Sequence, residues 1–214
     1  MNITVPAAAL AILLTPWLPP AVGSQESSSG TLLVDVKPYE SDVDMNKNIR
    51  KQLEHAGLEW GVVDHTIVFT LVDKRFVNAE LPHMTRYGES KALELKSGDY
   101  TITCIGFVLA STSSDVEKSL SSSAFVNENV ITFTISHDRI TTVKVLPIFQ
   151  KQAKRGFRRS ISVLVPDLAV SVLGDEAPKA AITINKRTPS SIAWDMYSGP
   201  LKFTAGSAGR KDLR

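Results

Sequence analysis

The chain has 214 residues, with 24 Lys and Arg against 22 Asp and Glu, a formal net charge of +2, and 43% hydrophobic and 21% charged residues. This composition excludes a collagen-like or highly charged disordered chain, and a charge of +2 carries no argument for nucleic acid or a membrane surface. The single cysteine, Cys104, excludes an internal disulfide, so the fold rests on packing.

Residues 1–30 hold no Lys, Arg or His and one acid, Glu26. An apolar block at 7–14 runs into Pro16, Pro19 and Pro20, followed by the small residues Ala21, Val22, Gly23 and Ser24. This order predicts a secretory signal peptide over 1–23 with cleavage before Ser24, although the usual basic n-region is missing. The apolar block is far shorter than the roughly 20 residues of a membrane-spanning helix, and the prolines would end a buried helix. The expectation is an exported protein, periplasmic or extracellular, with no membrane span in the mature chain.

Residues 32–36 form an apolar run ended by Lys37-Pro38, which predicts a first strand. One short helix is expected next, with Asp42 and Asp44 as N-caps, a stripe of Met45, Ile49, Leu53 and Ala56, and Gly57 as a left-handed C-terminal cap. The spacing Asp42, Asp44, Asn46, Asn48 is like the start of a calcium loop. Lys47 and Leu53, however, stand where that loop needs glycine and a bidentate acid, so no metal is expected. In 66–72, Ile67, Phe69 and Leu71 alternate with Thr66 and Thr70. The strand at 100–109 puts Tyr100, Ile102 and Cys104 on one face, with a bulge expected near Gly106 and an inert core thiol at Cys104. Strands at 130–135 and 140–146 flank Ser136-His137-Asp138-Arg139 and predict a hairpin. Further strands are expected at 161–165, 168–173, 180–184, 192–197 and 201–204, separated by Pro166, Gly174, Pro178, Pro189 and Gly199-Pro200. The fold class is mainly β, an antiparallel β-sandwich with one short helix. The β-sandwich domain covers 31–150, a smaller β extension or second β unit covers 160–205, and 206–214 is a flexible tail.

Catalytic signatures are sparse. His55, His65, His83 and His137 are not spaced to chelate zinc from one helix, and no nucleophile elbow or glycine-rich phosphate loop is present. Asp64-His65 is the adjacent acid and histidine pair, from which a hydrolase site assembled in space is one alternative. No cofactor is implied.

From Arg139 to Arg159 the chain carries seven cations (Arg139, Lys144, Lys151, Lys154, Arg155, Arg158 and Arg159) and no acid. Lys151, Lys154, Arg155, Arg158 and Arg159, with Gly156-Phe157 among them, are candidate contacts for an acidic protein or an anionic envelope component. Nucleic acid is not the expected ligand of an exported protein. The plain alternative is a solvated linker following the strand at 140–146. Acids gather instead at Asp35, Glu40, Asp42, Asp44, Glu54, Glu59 and Asp64, a region of opposite sign. The serine-dominated stretch 111–123 reads as a long surface loop. Trp194 and Tyr197, with Trp60, offer a carbohydrate-stacking alternative; the alternation of Ile192 with Trp194 equally fits core packing.

Leu95, Gly98, Tyr100 and Ile102 follow the pattern of a leucine, a turn glycine and a strand-opening tyrosine. In this the segment 62–149 resembles the transthyretin-like β-sandwich modules, the class of Cna B-type and carboxypeptidase regulatory-like domains. Some of those modules carry a Lys–Asn isopeptide bond with the Asn on the last strand; residues 139–150 contain no Asn, so that bond is not carried over. The resemblance implies an immunoglobulin/transthyretin-like sandwich with a binding or scaffolding role. The functional expectation is an exported, non-enzymatic protein that binds another envelope or surface component. A carbohydrate-binding module and the Asp64-His65 hydrolase are the alternatives.

Overall fold

Strand β1 (Ser29–Val36) alternates half-buried and buried positions along its length, and Leu32, Val34 and Val36 are fully buried. In this computed structural model the described residues are 28–71, 81–107, 124–155, 160–175, 179–183, 187–193 and 196–198, with the backbone alone at 151–155, 160–165 and 180–183. The expected signal peptide, the serine-rich loop 111–123 and the tail 206–214 lie outside them.

After β1 come β2 (Glu40–Ser41), α1 (Lys47–Leu53), β3 (Gly57–Val63), β4 (Thr66–Thr70), β5 (His83–Arg86), β6 (Ser90–Lys96) and β7 (Gly98–Phe107). They are followed by β8 (Ala124–Ile135), β9 (Ile140–Arg155), β10 (Ser160–Leu173), β11 (Lys179–Thr183) and β12 (Ile192–Ala193). One sheet has the order β11-β10-β9-β1-β6, with β2 also on β9; the other has the order β12-β8-β7-β4-β3-β5. Both sheets contribute to one buried cluster, in which Leu32, Val34, Val143, Val145 and Val170 of the first meet Trp60, Ile67, Phe69, Ile102 and Phe133 of the second. The protein is mainly β with one short helix.

The sheets are mixed where an antiparallel arrangement was expected. β1 and β2 run parallel to β9, and β4 runs parallel to β7. A parallel pair needs a crossover connection, which carries the chain from the end of one strand back to the opposite end, where the next begins. Here the chain crosses to the opposite sheet between such strands, as at β6 to β7.

The predicted hairpin across Ser136-Arg139 is corrected as well. β8 pairs with β7 and β12 in one sheet, whereas β9 pairs with β1, β2 and β10 in the other. The reversal is therefore an arch from sheet to sheet, with Asp138 at φ 53°. It is docked on β1: Thr31 N–H donates to Arg139 O at 2.8 Å and Asp138 N–H to Ser29 O at 2.9 Å. A period-two pattern on both sides of a turn fixes which face is apolar but not which sheet receives each strand.

Other local expectations shift for identifiable reasons. The helix begins at Asn46 rather than Asp42 or Asp44, with Asn46 Oδ1 accepting from Ile49 N–H at 2.9 Å, and no residue of α1 is buried. Gly57 opens β3 instead of capping the helix; a Cβ there would lie 2.5 Å from Thr85 O, so the close approach of β5 explains the glycine. The bulge falls between Ile102 and Cys104, opposite the β8 segment 127–131, where Asn129 has φ 51°, and not at Gly106. Thr70 is buried, as are Val68, Thr103, Ile105 and Val126, so the second face of β4, β7 and β8 is covered too. Pro166 does not break its strand. β10 runs through it, with Pro166 opposite Phe149 of β9 and, among the described residues, β11 reaching only 169–172 on the other edge. Pro147 likewise sits between the last β1 partner, Val145, and the first β2 partner, Ile148. Residues 160–173 thus continue the sheet that contains β1 and β9.

Gly30 marks the tightest joint. A Cβ on it would lie 2.2 Å from Ser136 O and 2.8 Å from Ile135 Cγ2, and the backbone oxygen cannot yield. Gly30→Ala should therefore destabilise the protein by about 1–3 kcal/mol, as overpacking does. Thermal unfolding checks this, and an unchanged midpoint would show that the arch is not seated on β1.

Candidate functional site

β9 holds a partner on both edges only for part of its length. On one edge it pairs with β1 through Val145 and with β2 through Phe149; on the other it pairs with β10 from Thr142 to Arg155. β10 in turn meets β11 only at 169–172. From 150 to 155 and from 160 to 165 the two strands pair only with each other among the described residues, in the register Gln150↔Val165 to Arg155↔Ser160. At about 3.3 Å per residue this ribbon is roughly 20 Å long.

Lys151, Lys154 and Arg155 all lie on the β9 half of that ribbon, opposite Leu164, Ile161 and Ser160. The expected alternative of a linker is corrected for these positions: they belong to a strand, because the chain continues the β9 ladder instead of leaving it. Arg158 and Arg159 fall outside the described residues.

The ribbon is rooted by aromatic rings. Phe149, the last buried residue of β9 before the cations, makes edge contacts with Tyr39 and Tyr87 at centroid distances of 5.8 and 6.2 Å. Tyr39 and Tyr87 meet each other at 6.0 Å. Burial pushes the Tyr87 hydroxyl above the usual phenol range. A shallow cleft of about 520 Å3 adjoins the root, lined by Lys37, Tyr39, Lys144, Leu146 and Ser171 among others. A second, of about 300 Å3, is lined by Leu71, Tyr87, Phe149 and Pro166. At the first cleft Asp35 accepts from Lys37 Nζ at 2.7 Å and from Ser90 Oγ at 3.0 Å. The Lys37 contact foremost, with Ser90 and the Lys144 charge, holds the Asp35 carboxyl below its usual range against the opposing effect of burial.

Where β2 ends, the chain turns away from β9. Ser41 Oγ donates to Phe149 O at 3.1 Å and accepts from Val43 N–H at 3.1 Å. The acidic segment Glu40, Asp42 and Asp44 therefore begins as a strand against β9 and departs where the basic stretch starts. The sequence shows both charge regions and allows them to face each other, within one molecule or between subunits, but nothing local pairs residue 40 with residue 148.

The other candidates are not brought together with these residues. Asp64 and His65, at φ 44° and 63°, form the two-residue turn between β3 and β4, the left-handed pair that a type I′ hairpin demands. The His65 ring packs on Tyr100 at 4.7 Å, and both turn residues are exposed. Trp60 is fully buried and donates Nε1–H to Thr85 Oγ1 at 2.9 Å, so it presents no face to a sugar. Tyr197 is half-buried beyond β12, and Trp194 lies outside the described residues. Cys104 is fully buried, and desolvation, with a smaller contribution from Asp167, pushes its thiol far up. In the calcium-like segment Asn46 serves as the helix cap and Asp44 pairs with Arg50 at 2.5 Å. Among the described residues no group of three His, Cys, Asp or Glu is placed to hold a metal, and no helix is long and apolar enough to cross a membrane.

Comparison with protein-family models, with curated proteins and with solved structures gives no match.

Two titrating groups give the fold a direction with pH. Burial against Trp60, at a ring distance of 4.7 Å, together with the Lys91 charge, lowers the pKa of His83, so the folded state prefers neutral imidazole. That contribution is complete above about pH 6.5 and is lost as pH falls below it. Asp35, held low, contributes stability that is complete above about pH 3.9 and is lost on further acidification. Thermal midpoints measured against pH should therefore decline less for His83→Phe than for wild type between about pH 7.5 and 5.5. The remaining decline below about pH 4 should shrink in Asp35→Asn. Parallel curves for all three proteins would contradict this assignment.

Proposed function

We propose that this chain is an exported, non-enzymatic β-sandwich protein whose β9–β10 ribbon binds an anionic component of the envelope or extracellular surface. The observation that carries the reading is the position of Lys151, Lys154 and Arg155. They lie on a strand pair that outruns every other described strand of its sheet and is rooted by Phe149. Cations on an ordered ribbon lose less entropy on binding than cations on a linker, so the same charges bind more tightly. Two sheets sharing one core, with Gly98 and Tyr100 at the start of β7, support the transthyretin-like reading and its binding role. The order of residues 7–24 supports export.

The test is a pull-down from a periplasmic or extracellular extract with the full chain and with a Lys151→Ala, Lys154→Ala, Arg155→Ala variant. The expected result is a partner that is lost from the variant and released by salt of about 0.5 M, where the screening length is only a few ångströms. A partner retained equally by both proteins would overturn the assignment of the ribbon as the contact.

A further inference from the structure

We propose that the edge of β9 at 150–155, which no described strand pairs on the side away from β10, is a strand-addition site for an extended acidic peptide segment. The inference rests on the binding role just proposed and specifies its partner and mode.

Three observations converge on this edge. First, the β9 ladder on the side away from β10 stops at Phe149, and residues 150–155 have no neighbour there among the described residues. In an antiparallel pair every second residue turns its N–H and C=O away from its partner, so β9 presents a row of main-chain donors and acceptors along this edge. Second, the same edge one step earlier is already occupied by an acidic extended segment. Glu40–Ser41 pairs parallel to Ile148–Phe149, and Asp42 and Asp44 follow. Ser41 Oγ then closes on Phe149 O where β2 ends, so among the described residues the edge is filled as far as Phe149. Third, the part with no described neighbour, 150–155, carries Lys151, Lys154 and Arg155 and no acid. Lysine on an exposed edge discourages neutral or basic strands from pairing. An acidic strand removes that obstacle, so the charges act as a selector while the main chain supplies directional bonds. A lipid headgroup would satisfy the charges but not the ladder, which makes an acidic polypeptide the better match.

The experiment uses the full chain and three probes: a labelled ten-residue peptide alternating Glu and Val, its Gln and Val counterpart, and phosphatidylcholine vesicles containing phosphatidylglycerol. Anisotropy should show the acidic peptide binding at least about tenfold more tightly than its neutral counterpart, with affinity falling as salt rises. Amide hydrogen exchange should slow at alternate residues within 150–155 and not along β5, β6 or β11. Lys151→Glu with Lys154→Glu and Arg155→Glu should lose at least about tenfold in affinity for the acidic peptide. The single Arg155→Glu change, at the last position of β9, should lose a part of it and serves if the triple variant does not fold.

Peptide binding without amide protection, protection at another edge, or vesicle binding with none to the peptide would each overturn strand addition. If the acidic peptide fails while the pull-down partner is still lost in the alanine variant, the binding role stands and strand addition falls. If that partner is retained by the variant, the role itself falls.

Discussion

The arrangement depends on β1 lying between β6 and β9. Its three inward residues, Leu32, Val34 and Val36, are fully buried, and the strand is antiparallel to one neighbour and parallel to the other. An N-terminal strand with a neighbour on each side has no edge to expose, and it obliges both neighbours to come from distant parts of the chain. Gly30 lets the β8–β9 arch close onto β1. At the same end, Tyr100 hydroxyl donates to Lys96 O at 2.9 Å and ties the β6-to-β7 crossing to the core. The two crossings between sheets are thus held beside the strand they both serve.

The ribbon follows from the same constraint. β1 covers the beginning of β9, β2 covers two further residues, and the chain then departs to α1, so among the described residues the rest of β9 pairs with β10 alone. An isolated two-stranded hairpin is marginal in water. This one is continuous with strands whose inward residues Val143, Val145, Leu168 and Val170 are in the core, and Phe149 is clasped by Tyr39 and Tyr87 at its root. The stable part of the sheet therefore holds a cation-bearing extension in register without burying it between other described strands.

Much of the local structure was legible in the sequence. The apolar run at 32–36 gave β1, the alternation in 66–72 and 100–109 placed Ile67, Phe69, Tyr100, Ile102 and Cys104 inward on β4 and β7, and the single cysteine was correctly read as a core thiol. The two-residue β2 and the strands β3, β5 and β6 were missed. β3 carries Gly57 and Gly61, β5 is only four residues long, and β6 alternates Lys91, Leu93 and Leu95 with exposed small and charged residues, which reads as a solvated segment. The helix was placed correctly but its cap was misjudged, because Asp42, Asp44 and Asn46 are equivalent by residue type and only the chain's departure from β9 selects Asn46. The basic residues of the candidate site were visible from composition. Their being on a strand was not, since Gly156 and the density of charge resemble a linker.

By itself, the sequence determined that this chain is a β protein with a packed, disulfide-free core and a segment of unbroken positive charge. Those properties follow from short-range patterning: a two-residue period, a lone cysteine, and cations without intervening acids. Only the tertiary structure decided that β8 and β9 belong to different sheets, that β1 runs parallel to β9, and that the acidic stretch at 40–44 abuts the beginning of the basic one. A period-two pattern assigns each side chain to a face, but the neighbour a strand pairs with is chosen by which distant strand can share the core. That choice is a property of the whole chain rather than of any window along it.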